Sequence, residues 1–124
     1  MKKLMLLISL YFIFTLSFGQ SYDSYFMIKQ SSEHEIDETF RIIKISDEEI
    51  TVSNLWNGGK ETAHFIVEKI EDKDWGYGVI YKTYYGVTDY GQKFIAKLEY
   101  SQITIGVFYD ELSLYVYIFN LSKK

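Results

Sequence analysis

The sequence has no cysteine and no proline among its 124 residues. Without cysteine there is no disulfide, no thiolate metal ligand, no cysteine nucleophile and no cysteine to carry a lipid anchor. Without proline the chain lacks one device that protects the edge strands of a β-sheet. Stability must therefore come from an apolar core, and a closed sheet, which has no edges, is slightly favoured.

Motifs for catalysis and cofactor binding are missing as well. There is no Gly-x-Ser-x-Gly motif and no glycine-rich phosphate loop. The two histidines, His34 and His64, have no second histidine four residues away, whereas a catalytic zinc usually needs three protein ligands. The acidic turn at 71–74 lacks the spacing and glycine of an EF-hand loop. The sequence thus predicts no enzyme, no metal and no cofactor.

Basic residues are scarce relative to acidic ones. The whole chain carries 13 basic and 17 acidic residues, and without Lys2 and Lys3 the formal charge is −6, from 11 against 17. Nucleic-acid binding depends on neutralising phosphates with Lys and Arg, and attraction to anionic membranes needs clustered basic residues. The balance therefore argues against both kinds of partner.

The first 19 residues have the pattern of a secretory signal peptide. Lys2 and Lys3 precede the apolar run Leu4–Phe18, and small residues at Ser17 and Gly19 indicate cleavage before Gln20. The run is shorter than the roughly 20 apolar residues of a membrane-spanning helix, which disfavours the alternative of a retained anchor. We expect a secreted or periplasmic protein whose residues 20–124 form one all-β domain.

Alternation of apolar and polar residues, with many β-branched and aromatic side chains, predicts an antiparallel meander of seven or eight strands. Such a meander either closes as a small barrel or folds as a two-sheet sandwich. With the export signal it broadly resembles small lipocalin-like barrels. Thr62–Ile70 also fits a short helix, and the polar segment Gln30–Glu38 fits a loop or a helical turn. The predicted strands are Tyr22–Lys29, Phe40–Ser46, Ile50–Trp56, Thr62–Ile70, Tyr77–Tyr85, Lys93–Tyr100, Ile103–Tyr109 and Leu112–Leu121.

Three tight turns would set the strand registers. A turn at Gly58-Gly59 places Val52 opposite Phe65. Turns at Ser101-Gln102 and Asp110-Glu111 give the C-terminal strands one continuous aliphatic face. Four residues are predicted to be buried together on that face: Ile105, Val107, Leu114 and Val116.

The same registers place an aromatic group on the opposite face of the meander. It would suit a flat ligand with polar edges, such as a sugar, or a protein partner, because tyrosine is both apolar and able to hydrogen bond. A small residue, Gly106, would leave room beside Tyr115. The alternative is ordinary sheet packing under the N-terminal strands. The predicted binding residues are Lys97, Phe108, Tyr115, Tyr117 and Phe119.

A second tyrosine set could line the interior of a barrel. Tyr77, Tyr81 and Tyr85 alternate along one predicted strand, and Trp56 and Trp75 stand at strand ends where they would flank a mouth or plug the core. The first functional hypothesis is a secreted, non-catalytic binding or interaction module that uses the aromatic face. The second is a ligand-carrying mini-barrel with a tyrosine-lined interior. A small extracytoplasmic hydrolase is the least favoured.

Overall fold

The computed structural model describes residues 19–30 and 35–123. In these ranges every regular element is a β-strand, and there is no helix that is long and apolar enough to cross a membrane. The strands are β1 Gln20–Ser24, β2 Met27–Gln30, β3 Glu35–Asp37, β4 Arg41–Ile45, β5 Glu49–Trp56, β6 Glu61–Asp74, β7 Ile80–Thr88, β8 Lys93–Leu98, β9 Gln102–Phe108, β10 Leu114–Asn120 and β11 Ser122–Lys123.

The strands form one antiparallel sheet in the order β11-β1-β4-β5-β6-β7-β8-β9-β10-β2-β3, curled into a half-barrel. From β4 to β10 each strand pairs with the next one in the chain, as a meander requires. The first strands take part at both ends of the order: β1 pairs with β4 and β11, whereas β2 pairs with β10. The predicted all-β meander is confirmed, but the sheet is longer than seven or eight strands and is not the closed barrel that we favoured.

One of the three additional strands arises because a predicted strand is interrupted. Tyr22–Lys29 divides into β1 and β2 at Tyr25 and Phe26, whose backbone amides donate to Asn120 Oδ1 at 2.8 and 3.0 Å. The second addition, β11, follows the end of the last predicted strand after a break at Leu121. The third addition, β3, lies where we expected a loop or a helical turn. The Thr62–Ile70 segment is extended, so its helical alternative is wrong.

The inner, concave face of the sheet holds the core. Its largest fully buried side chains include Phe65, Tyr84 and Phe119, and burying a large apolar side chain stabilises a fold by about 1.5–3 kcal/mol. The buried apolar residues are Tyr22, Met27, Ile43, Ile45, Ile50, Val52, Ala63, Phe65, Tyr84, Phe94, Ala96, Ile103, Ile105, Val107, Phe119 and Leu121.

The hairpin between β5 and β6 keeps its predicted face but shifts its register by two residues. Val52 lies opposite Ala63 instead of Phe65, because β5 bulges between Val52 and Trp56. Asn54, inside this bulge, has a φ of 57°. Side chains alternate with a period of two, so an even shift preserves the face, and Val52 and Phe65 are still buried.

In the hairpin between β9 and β10, our prediction buries the wrong face of β10. Val116 lies opposite Gly106 and Tyr117 opposite Ile105, one residue away from the predicted pairing. A shift of one residue turns every side chain of β10 to the other face of the sheet. Leu114 is 38% exposed and Val116 lies beside it on the outer face, so neither packs in the core with Ile105 and Val107 as predicted.

Candidate functional site

The structure separates the five predicted binding residues. Tyr115, Tyr117 and Phe119 point to the inner face, because their partners on β9 are the core residues Val107, Ile105 and Ile103. The other two, Lys97 and Phe108, lie on the outer face, in phase with Thr104 and Leu114. The five residues thus form no common surface, and the physical reason is the odd shift between β9 and β10.

The inner-face aromatics lie beside a cleft at one end of the half-barrel. This mouth cleft has a volume of about 410 Å³ and lies between β2, β3, the start of β4, the β5–β6 turn and β10. That volume falls within the roughly 300–1,000 Å³ typical of small-molecule sites. The cleft is lined by Met27, Lys29, Glu35, Asp37, Thr39, Arg41, Leu55, Gly58, Gly59 and Tyr117.

Arg41, the only arginine of the chain, lies at the inner end of the mouth cleft. Its side chain is 3% exposed. Nε donates to the carbonyl of Asn54 and Nη1 to that of Thr39, both at 3.2 Å, and Nη2 lies 3.4 Å from Asp37 Oδ2. A buried charge is costly unless it is paired, so these contacts fix the position of the guanidinium group.

The apolar wall of the mouth cleft comes from the aromatic strand β10. Tyr117 is half-buried there, and its ring stacks on Phe119 with centroids 6.4 Å apart. The Arg41 guanidinium carbon lies 5.9 Å from the Phe119 ring centre, a cation–π contact. Burial, and to a lesser extent the nearby Tyr115, raises the pKa of Tyr117, so its hydroxyl stays protonated and able to donate.

Three more charged groups line the cleft nearer to solvent. Lys29 is the cross-strand partner of Tyr117 and places its Nζ 5.4 Å from the Tyr115 ring centre. Glu35 is the cross-strand partner of Lys29 on the edge strand β3. The pKa of Asp37 is lowered mainly by hydrogen bonds from Thr39, whose backbone amide donates to Oδ1 at 2.8 Å, and also by Arg41. Asp37 is therefore ionised at neutral pH.

Lys97, on the outer face, contributes to a different group of side chains. Its Nζ lies 5.4 Å from the Trp75 ring centre and 5.3 Å from that of Tyr81, and it pairs with Glu99 at 3.2 Å. Trp75 folds back onto this face and donates from Nε1 to Thr83 Oγ1 at 3.0 Å. It therefore covers part of the sheet instead of flanking the mouth cleft.

The remaining sequence candidates lie apart from the mouth cleft. Phe108 lines an open groove of about 680 Å³ with Tyr109 and Gly91, beside the β7–β8 and β9–β10 turns. Trp56 packs on Phe65 and Tyr90, with ring centroids 6.0 and 5.9 Å away.

The interior tyrosines come from β1 and β7 and line one pocket together, distinct from the mouth cleft. Tyr84 is buried from β7 and Tyr22 from β1, whereas the predicted set of Tyr77, Tyr81 and Tyr85 lies outside the core. Tyr84 lines a second pocket of about 310 Å³, which also holds Lys82 and Asp47, an ion pair at 3.3 Å.

His64, the one histidine among the described residues, is in no catalytic arrangement. His64 Nδ1 lies 2.6 Å from Glu49 Oε1, but this pair is on the exposed surface of the β5–β6 hairpin. His34 lies outside the described residues. Across residues 19–30 and 35–123, no three histidine, aspartate or glutamate side chains come close enough together to hold a metal ion.

Comparison with known proteins gives no further guide. No protein-family model matches the chain, and no match was found among the curated proteins or the solved structures.

Sequence reasoning missed the most buried charge of the cleft, although a signal was present. Arg41, Ile43 and Ile45 alternate along β4, so the lone arginine is in phase with two isoleucines that are buried. A single cation in phase with core residues indicates a charge held inside the fold. Lys29 gives a weaker signal of the same kind, in phase with the buried Met27.

Proposed function

We propose that this protein is a non-catalytic binding module that holds a small amphiphilic molecule in the mouth cleft. This keeps the ligand-carrying alternative of the sequence analysis but bases it on the inward-facing tyrosines of β10, since the predicted set of Tyr77, Tyr81 and Tyr85 lies outside the core. The flat part of the ligand would lie against Tyr117, Met27 and Leu55, and its polar part against the charged groups at the cleft walls.

One observation carries the proposal. A charged side chain that is almost wholly buried, Arg41, lines a cleft of ligand size together with an accessible aromatic ring, Tyr117. Binding sites typically combine an apolar lining with a few well-placed polar groups. The outer-face pocket beside Trp75 has an aromatic ring as well, but its volume is only about 130 Å³.

Export remains part of the proposal. The apolar run and the small residues before Gln20 support cleavage of the first 19 residues, which lie almost entirely outside the described part of the chain. The mass of the exported protein would then correspond to a chain that begins at Gln20. Exported protein that still begins at Met1 would contradict this part of the proposal.

The binding proposal can be tested with N-phenyl-1-naphthylamine, a neutral, flat, apolar probe. Titration of the folded protein, followed by probe fluorescence and by amide shifts in a nitrogen–proton NMR spectrum, should perturb Lys29, Gly58, Gly59 and Tyr117. Tyr117→Ala should weaken the probe's affinity by about tenfold or more, the effect of losing an aromatic hot spot. Shifts confined to other surfaces, or no binding, would overturn the proposal.

The matched control is Tyr100→Ala, at the β8–β9 turn, where the side chain is 98% exposed. It removes the same ring from a site remote from the cleft and should leave the affinity unchanged. Thermal unfolding of both variants separates a binding effect from a loss of folded protein. A large loss of stability in Tyr117→Ala with unchanged affinity per folded molecule would show that the ring serves only the core.

A further inference from the structure

We infer that the ligand of the mouth cleft is an anion, with its carboxylate or similar planar acidic head on Arg41 and its apolar part against Tyr117. This inference rests on the proposed binding function and specifies the ligand's charge. It depends on how the charged groups are layered from the inner end of the cleft to its rim.

The inner end of the cleft is positive, whereas both acids of the cleft lie toward the rim, as Lys29 does. Arg41 is 3% exposed, whereas its partner Asp37 is 42% exposed. Glu35, the other acid of the cleft, is exposed on the edge strand β3. Water and salt screen exposed charges much more than buried ones. An entering anion therefore meets a poorly screened cation, whereas an entering cation would meet only the two well-screened acids.

Arg41 keeps hydrogen-bonding capacity for a ligand. A guanidinium group has five N–H donors, of which three are directed at Asn54, Thr39 and Asp37. Within the described part of the chain, one N–H on each terminal nitrogen has no protein acceptor. These two groups suit a planar, two-oxygen head, which arginine recognises through paired hydrogen bonds.

The existing ion pair includes only a long hydrogen bond. Its Nη2–Oδ2 distance of 3.4 Å exceeds the roughly 2.7–2.9 Å of a close charge-assisted hydrogen bond. Asp37 is also engaged by the backbone amide of Thr39 at 2.8 Å. Asp37 thus places one oxygen on the loop amide and the other at the long contact with Nη2.

A second cation lies on the wall of the same cleft. Lys29 lies opposite Tyr117 on the neighbouring strand, and its ammonium group rests over the Tyr115 ring. It forms no ion pair with any residue that the structure describes. An anion seated on Arg41 with its apolar part on Tyr117 would lie between two positive groups, with Glu35 and Asp37 left toward solvent.

A matched pair of probes tests this inference. N-phenyl-1-naphthylamine and its 8-sulfonate share one aromatic skeleton and differ in the acidic head, which here stands in for a carboxylate. The sulfonate should bind the cleft at least about tenfold more tightly, the strength expected of charge-assisted hydrogen bonds to a buried cation. Equal affinities, or tighter binding of the neutral probe, would overturn the inference while leaving the proposed function standing.

Variants locate the origin of that preference. Arg41→Met should bring the affinity ratio of the two probes close to one, and Lys29→Gln should lower it by about two- to fivefold. The control Lys44→Gln, at an exposed lysine on β4, should not change it. If Arg41→Met does not fold, Lys29→Gln decides alone, and a ratio unchanged by it would count against the inference. Failure of both probes to perturb the cleft amides would instead refute the binding function itself.

Discussion

The two hairpins that share β9 show that the length of a loop decides which face of the next strand is buried. In the β8–β9 hairpin, Leu98 lies opposite Ile103, two residues from the predicted register, and the core face is the expected one. In the β9–β10 hairpin, Leu114 lies opposite Phe108, and the odd shift exchanges the faces. Four residues, an even number, lie between the paired Leu98 and Ile103. Five residues, an odd number, lie between the paired Phe108 and Leu114.

The two hairpins also differ in how clearly their sequences mark a core face. On β8, Lys93 and Lys97 alternate with Phe94 and Ala96, so only one face can be buried. On β10 both faces are apolar, with Leu114, Val116 and Ile118 on one side and tyrosines and phenylalanine on the other. Alternation then does not show which face of β10 is buried, and the loop between the strands decides it.

The largest expected effect tests the face of β10 directly. Phe119→Ala removes a fully buried ring and should lower the free energy of unfolding by about 3–5 kcal/mol. Ile118→Ala, next to it on the outer and partly exposed face, should cost less than about 1.5 kcal/mol. Chemical denaturation of both variants gives the comparison. A larger loss in Ile118→Ala would restore the register predicted from the sequence.

Much of the fold could be predicted because it depends on local alternation. The extended state of Thr62–Ile70 and the buried row of Ile103, Ile105 and Val107 follow from period-two patterns. The features that were predicted wrongly depend on contacts between residues that are distant in sequence. The break between β1 and β2 is held by the side chain of Asn120, almost a hundred residues away, and no local pattern indicates that contact.

The candidate site was less predictable for the same reason. Tyr117 was predicted as a binding residue on the same face as Lys97 and Phe108, whereas the structure places it on the opposite, inner face among other neighbours. Lys29 and Arg41 reach the cleft from strands at the two ends of the sequential meander, and only the curl of the sheet brings them together. The binding role of the mouth cleft stays a prediction.

A second, smaller effect should come from the loop that sets the odd register. Asp110 Oδ1 accepts from the backbone amides of Leu112 and Ser113, each at 2.8 Å. This side chain organises the five-residue loop as an Asx-type turn. Asp110→Ala should lower the unfolding midpoint, and Asp110→Asn should recover part of the loss, because an amide oxygen also accepts. An Ala variant as stable as wild type would show that the loop does not depend on Asp110.

The same loop predicts a pH dependence with a definite sign. The backbone hydrogen bond from Leu112, followed by those from Ser113, lowers the pKa of Asp110 from its ordinary 3.8. A lowered pKa in the folded state stabilises the protein above the unfolded value, and this stabilisation is lost as the pH falls through the folded pKa. The stability gap between wild type and Asp110→Asn should therefore be constant near neutral pH and shrink below pH 3.8. A gap that widens on acidification would contradict this account.

The smallest expected effect concerns the contact between positions 106 and 114, which only the observed register creates. A Cβ on Gly106 would lie 2.3 Å from Leu114 Cδ1 and 3.4 Å from Ile95 Cγ2. Because Leu114 is flexible and partly exposed, Gly106→Ala alone should change stability by less than about 1 kcal/mol. With Leu114→Ala the clash disappears, and the added methyl should stabilise the strand by about 0.5–1 kcal/mol.

A double-mutant cycle measures this coupling against a control pair. The observed register predicts coupling between positions 106 and 114 of about 0.5–1 kcal/mol, since their side chains would touch. Positions 106 and 115 should be uncoupled, because Tyr115 lies on the inner face opposite Val107. The register predicted from the sequence gives the opposite result, since it places Tyr115 beside Gly106. The sign and location of this small energy therefore distinguish the two registers of β10 even if neither variant alters the fold.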